Sequence, residues 1–251
     1  MSGHSKWHNI QKTKGAADAK RSQIFTKIAR EMIVAVKTGG SGDPANNSRL
    51  ATVIAKAKAA NMPNDNIKRT IDKALGAGNT DSFESVVYEG YGPNGVAIIV
   101  EALTDNRNRT APEMRSLFTK TGGAIGEMGC VAWNFDRKGV IEVTGEGIDE
   151  DALMMAAIDA GADDLEAEDG GFEITCDPSV LSQVGEALKN DGYNVDTMEI
   201  QMVPKNTVSI TNKADAQKLL AMVERFEDHD DVQAVYSNFD IPEEILAEIE
   251  E

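Results

Sequence analysis

A chain of 251 residues with 41% hydrophobic content can fill two or three compact cores, and its apolar runs, such as residues 96–100, are far shorter than the roughly 20 residues of a membrane span. A net charge of −17 argues, as an average, against a polyanionic partner, because like charges repel at long range. Cys130 and Cys176 stand far apart with no CxxC or Cys/His pairing, which leaves no disulfide framework and no zinc site to expect.

The average hides a split. Residues 1–75 hold 14 Lys+Arg against 5 Asp+Glu, a net of +9, and the remainder carries −26. With a Debye length of about 8 Å at physiological salt, a basic module one domain away from acidic ones keeps its own field. The alternative is a basic block that is only a solvated helical face. The start, Met1-Ser2-Gly3-His4-Ser5-Lys6-Trp7-His8, is polar and no apolar signal core follows it. A cytoplasmic chain without a membrane partner or lipid anchor is expected.

Residues 1 to about 20 are Lys-rich without periodicity, as in an arm that a partner orders. From Ser22, the apolar residues Phe25, Ile28, Met32 and Val36 recur at helical spacing until Gly39-Gly40-Ser41-Gly42-Asp43-Pro44 stops them. Lys20, Lys27, Arg30 and Lys37 then project away from that stripe at about 100° per residue. A second helix is predicted over 47–60, with Leu50, Val53, Ile54 and Ala57 inward. A third is predicted over 65–75, capped by Asn64, with Ile67 and Ile71 inward. Two helices joined by a short turn fit a helix-turn-helix reader or a plain packing hairpin.

After Gly78 the period changes to two. Residues 86–88 and 96–100 flank Gly92-Pro93-Asn94-Gly95 as a hairpin. A helix follows from the capping box Thr110/Glu113 to Gly122-Gly123, then a strand over 131–135. Residues 139–203 read strand, helix, two strands around Gly170-Gly171, helix (from Asp177-Pro178) and strand, the ferredoxin-like order βαββαβ. A last strand, helix and strand span 207–239. So small a fragment cannot bury both faces of a sheet. The expectation is an α+β protein of three domains: a basic helical domain over 1–78, a discontinuous α/β domain over 79–136 and 206–251, and an inserted βαββαβ domain over 137–205. A strictly sequential arrangement is the alternative.

Asp105-Asn106-Arg107-Asn108-Arg109-Thr110 precedes a helix N-terminus, where unpaired N–H groups and the helix dipole favour an anion. Arg107 and Arg109 there form a candidate phosphate pocket, or else pair with nearby carboxylates and fix the loop. Trp7 among Lys6, Lys12 and Lys14 suits base stacking beside phosphates, or anchors the arm on the chain itself. The candidate nucleic-acid-binding set is Lys6, Trp7, Lys12, Lys14, Lys20, Arg21, Lys27, Arg30, Lys37, Arg107 and Arg109. No nucleophile elbow, Walker loop or Cys/His pair is present, so neither an enzyme nor a cofactor is expected. His4 and His8 lack a third metal ligand.

Gly3-His4-Ser5-Lys6-Trp7, Asp18-Ala19-Lys20-Arg21 with Phe25-Thr26-Lys27, Tyr88-Glu89-Gly90-Tyr91-Gly92-Pro93, Thr104-Asp105-Asn106-Arg107-Asn108-Arg109-Thr110 and Asp230-Asp231-Val232-Gln233 together resemble the YebC/PmpR family over nearly the whole chain. Ser22 and Asn94 stand where the family pattern has glycine. The resemblance implies a helical N-terminal domain and two α/β domains, one interrupting the other. It also implies a DNA-binding transcriptional regulator or, as in mitochondrial relatives that look like translational activators, an RNA-binding translation factor at the ribosome. A third reading is a small-molecule sensor with a metabolite between the helices and sheet of the ferredoxin-like domain. The acidic domains are expected to engage protein partners.

Overall fold

A computed structural model of the chain describes residues 18–76, 82–168 and 171–250, and shows an α+β protein with a helical N-terminal region and two antiparallel sheets. Helices α1 (Asp18–Gly39), α2 (Ser48–Ala59) and α3 (Asn64–Leu75) come first. The α1 stripe buries Ile28, Met32 and Val36, as its spacing requires, and Ile33 and Ala35 widen it. These side chains pack with Leu50, Val53 and Ala57 of α2 and with Ile67 and Ala74 of α3. Each large apolar side chain so buried contributes about 1.5–3 kcal/mol. Asn47 ties the layer together. Its Oδ1 caps α2 by accepting from the Leu50 N–H at 3.0 Å, and its Nδ2 donates to the carbonyls of Ala35 and Ser41, both at 2.9 Å. A Cβ on Gly39 would lie 2.3 Å from that amide, which is why the helix ends on glycine.

The chain continues as β1 (Glu84–Tyr91), β2 (Ala97–Thr104), α4 (Arg107–Lys120), β3 (Ala124–Ile125), β4 (Phe135–Thr144), α5 (Glu150–Ala160), β5 (Ala162–Glu168) and β6 (Gly171–Cys176). It ends with α6 (Leu181–Asn190), β7 (Asn194–Pro204), β8 (Val208–Ser209), α7 (Lys213–Glu227), β9 (Val232–Ser237), β10 (Phe239–Asp240) and α8 (Glu243–Glu250). The first sheet has the order β3-β1-β2-β9. Helices α4, α7 and α8 cover one face of it around Ile98, Val100, Phe118, Leu219, Val223 and Phe226, and the rings of Phe118 and Phe226 lie 4.7 Å apart. The second sheet, β5-β6-β4-β7, packs Ile141, Val143 and Ile174 against Leu153 of α5 and Val184 and Leu188 of α6. Where the chain passes between sheets, Asn134 and Asn206 clasp the two connections. Asn134 Nδ2 donates to the Asn206 carbonyl and Asn206 Nδ2 to Asn134 Oδ1, both at 3.0 Å.

Several local expectations shift. The helix expected at Thr110 begins at Arg107, because Asn106 Oδ1 accepts from the Arg109 N–H and caps it three residues earlier. The helix expected at Pro178 begins at Leu181, since Asp177 closes a turn by accepting from the Ser179 N–H instead. Residues 132–134 form a 3-10 turn and the strand starts at Phe135. The cause is Glu89, 4% exposed, whose carboxylate accepts from the N–H groups of Gly129, Val131 and Ala132 at 2.7–3.0 Å and draws that loop inward. Burial opposes ionisation of Glu89, but the three backbone donors outweigh it and hold the carboxyl below its ordinary range. Glu89→Ala strands these donors and is expected to lower stability by about 3 kcal/mol in urea melts; a change under about 1 kcal/mol would mean that water replaces the carboxylate. Asn94 adopts φ +59°, the left-handed conformation that glycine takes most easily and asparagine tolerates.

Candidate nucleic-acid interface

The polar side of α1 does not face solvent throughout. Gln23 Nε2 donates to the carbonyl of Asp228 and Lys27 Nζ to that of Glu227, at the C-terminal end of α7 where carbonyls lack helical partners and the dipole is negative. Arg30 reaches the Asp230 carbonyl at 2.6 Å and Asp231 Oδ1 at 2.7 Å, and its guanidinium lies 5.6 Å from the centre of the Phe83 ring. Burial pushes the Lys27 ammonium below its ordinary pKa against the pull of Glu227, Asp228 and Asp230. The expected outward projection of Lys27 and Arg30 is thus corrected: both seat α1 on residues 227–231. Arg21 and Lys37 are exposed, whereas Lys6, Trp7, Lys12, Lys14 and the side chain of Lys20 lie outside the described residues.

Asp231 is the centre of this junction. Its side chain is 2% exposed and accepts from Arg30, from Arg109 Nη2 at 2.8 Å and from the Thr110 hydroxyl at 2.7 Å. Thr110 is itself 2.7 Å from the Thr104 hydroxyl, which accepts from the Asn106 N–H and locks the loop before α4. Burial raises the Asp231 pKa, but the hydrogen bonds from Arg109, Thr110 and Arg30 outweigh it and bring the carboxyl down to about 2. The Arg109 guanidinium is raised in turn, chiefly by its bond to Asp231. The loop expected to hold a phosphate therefore holds an internal anion, and Arg109 also pairs with Asp105 at 3.0 Å. Arg107 stays exposed, 3.9 Å from Glu84. Glu113, His229 and Asp231 bring ligand atoms within 4.8 Å of one another. The Asp231 oxygens of that trio already serve two guanidiniums, and His229 Nδ1 accepts from the Asp231 N–H at 3.1 Å.

Exposed positive charge also sits on α2 and α3. Arg49 and Lys58 on α2, and Lys68 and Arg69 on α3, occupy exposed positions, while Lys56 pairs with Glu31 at 3.1 Å. None of these four stands in the set expected from the sequence, which drew on the arm, the first helix and the Arg107/Arg109 loop. The same periodicity that puts Leu50, Val53, Ala57 and Ile67 inward puts them outward. The opposite end of the charge scale lies between the two sheets. There Asp164, Glu166, Glu173 and Asp240, with Lys138, line a cleft of about 330 Å³. The space between helices and sheet in the second unit, where a metabolite was expected under the sensor reading, is filled by Ile141, Leu153, Ile174, Val184 and Leu188.

A basic helical layer latched by the Arg30–Asp231 ion pair and by hydrogen bonds to the carbonyls of residues 227–230 onto a body with two antiparallel sheets defines the class of the molecule. Residues 5–77 match the model of the TACO1/YebC protein N-terminal domain, and residues 83–239 that of the TACO1/YebC second and third domain. The chain belongs to the TACO1/YebC family. It is 53% identical over 250 residues to a "Probable transcriptional regulatory protein" of Fusobacterium nucleatum, covering 100% of both chains. A protein of the same description from Geobacter sp. strain M21 is 52% identical, over 97% of this chain and 98% of its own. The crystal structure of a conserved hypothetical protein from Aquifex aeolicus superimposes with a TM-score of 0.82 at 45% identity, over 91% of this chain and 94% of that one.

Proposed function

We propose that the chain is a nucleic-acid-binding regulator of gene expression, and that it acts as a DNA-binding transcriptional regulator, the role its relatives' names describe. One observation carries this reading: Arg49, Lys58, Lys68 and Arg69 are exposed on a module of net positive charge, while Lys27 and Arg30 of α1 are engaged internally. In this reading residues 1–78 grip phosphates, and Lys6, Trp7, Lys12, Lys14, Lys20, Arg21, Lys37 and Arg107 add to the grip. Lys27, Arg30 and Arg109 position the module. The units 79–136 with 206–251, and 137–205, supply the acidic surface, whose cleft suits a cationic protein segment. No catalytic step is assigned. Among the described residues no helix is long and apolar enough to cross a membrane.

A second reading, an RNA-binding factor at the ribosome, is favoured by the packing of α1. The longest helix of the module rests on the hydrophobic layer with one side and on residues 227–231 with the other, so it is not presented to a major groove. Crosslinking in cells, followed by sequencing of bound DNA and bound RNA, separates the readings. Discrete DNA sites are expected; ribosomal RNA in their place would move the function to translation, and recovery of neither would refute both.

A further inference from the structure

The first sheet carries an exposed aromatic surface that the phosphate-gripping role does not use. Trp133 is 66% exposed, Tyr91 41% and Met128 87%. Trp133 Nε1 donates to the carbonyl of Cys130 at 2.9 Å, and the Tyr91 hydroxyl donates to the same carbonyl at 3.0 Å. Each ring has thus satisfied its polar atom inside the chain. What remains toward solvent is apolar ring surface held in a set orientation.

The loop beneath is built to hold that orientation. Glu89 binds three of its backbone N–H groups, Val131 is fully buried with Ala97, Ile99 and Phe135, and the Gly126 N–H donates to the Glu89 carbonyl at 2.8 Å. A Cβ on Gly126 would lie 2.4 Å from Cys130 Sγ, so the loop closes tightly on itself. Such a surface loses little side-chain entropy on binding, and its cost in water is recovered only when something covers it. Beside it, Lys205 Nζ lies 3.3 Å from the Trp133 carbonyl and 3.0 Å from Asp136, about half exposed.

We propose that Tyr91 and Trp133 form a stacking platform for unpaired nucleobases, with Lys205 placed for the adjoining phosphate. Rings with no free donor contact a base through its face alone, which tolerates any base and requires that it be unstacked from a duplex. The platform rests on the nucleic-acid reading above and narrows it: part of the ligand is single-stranded.

The test uses the full chain labelled with 5-fluorotryptophan. Its two tryptophans, Trp7 and Trp133, give two fluorine resonances that the W133F variant assigns. A uridylate strand of about 12 nucleotides, within the site size of such surfaces, should shift the Trp133 resonance, and an RNA duplex of equal length should not. In mobility shifts W133A should weaken single-strand binding about tenfold, and W133F should retain it within about threefold, with thermal melts unchanged. A Trp133 resonance that stays put while the strand binds in mobility shifts overturns the platform and spares the parent reading. Failure of every nucleic acid to bind removes both. A shift that follows protein concentration without RNA assigns the surface to a second copy of the chain and also overturns the proposal.

Discussion

Replacing Asp231 by alanine is expected to lower the stability of the folded chain by about 3–5 kcal/mol, the usual cost of leaving buried charges uncompensated. The carboxylate is almost fully enclosed, and the guanidiniums of Arg30 and Arg109 and the hydroxyl of Thr110 converge on it from two separate helices. Without it, Arg30 loses the ion pair that helps to dock α1, and Thr110 loses its acceptor in a site too buried for water to substitute freely. The folded pKa of about 2 lies below the ordinary 3.8, so Asp231 contributes stability that is present above about pH 4 and is lost as pH falls from there toward 2. The shift corresponds to about 2 kcal/mol. Urea melts across that window should show wild type losing this increment and the D231A chain, already without it, changing less. Equal acid sensitivity of the two would place the junction's strength elsewhere, in the Lys27 and Gln23 bonds to the end of α7.

Reversing four exposed charges at once, R49E with K58E, K68E and R69E, is expected to abolish most of the affinity for nucleic acid without unfolding the chain. If the module neutralises about six phosphates of a duplex, log affinity falls with log salt at a slope near −5, a loss of about a thousandfold between 50 and 200 mM. Each cation removed takes about 0.9 from that slope, so the quadruple variant should approach about −1.5. Changes at Lys27 or Arg30 should act differently. They alter stability, because those side chains bind residues 227–231, and should leave the slope of the folded fraction near its original value. A quadruple variant with wild-type slope would show that the phosphates lie against another surface.

Periodicity made the helices legible: the 3.6-residue recurrence of Ile28, Met32 and Val36, or of Leu50, Val53 and Ala57, reflects burial that the structure shows directly. Helix starts were less legible, because several side chains compete for one cap; Asn106 prevails over Thr110 once Thr110 is drawn to Asp231. The short α8 was not anticipated: its apolar residues Ile245, Leu246 and Ile249 are few and their role appears only against the core under α7. Charge segregation was visible in composition, but its direction was not. Whether a lysine on a polar stripe meets solvent or a helix C-terminus 200 residues away is decided by tertiary packing, and no local pattern distinguishes Lys27 from Lys58. The Arg107/Arg109 loop shows the same limit, since a pocket suited to a phosphate is equally suited to a buried aspartate.

Lysine-reactivity footprinting tests most directly the claim that the outward faces of α2 and α3 meet the polyanion while Lys27 of α1 stays engaged inside the chain. The chain is acetylated briefly with and without saturating duplex DNA or single-stranded RNA, and each site is read by mass spectrometry. Lys58 and Lys68 should lose reactivity when nucleic acid is bound, exposed Lys189 on α6 should not change, and Lys27 should react slowly in both states. Bound nucleic acid that leaves Lys58 and Lys68 as reactive as before would contradict the account.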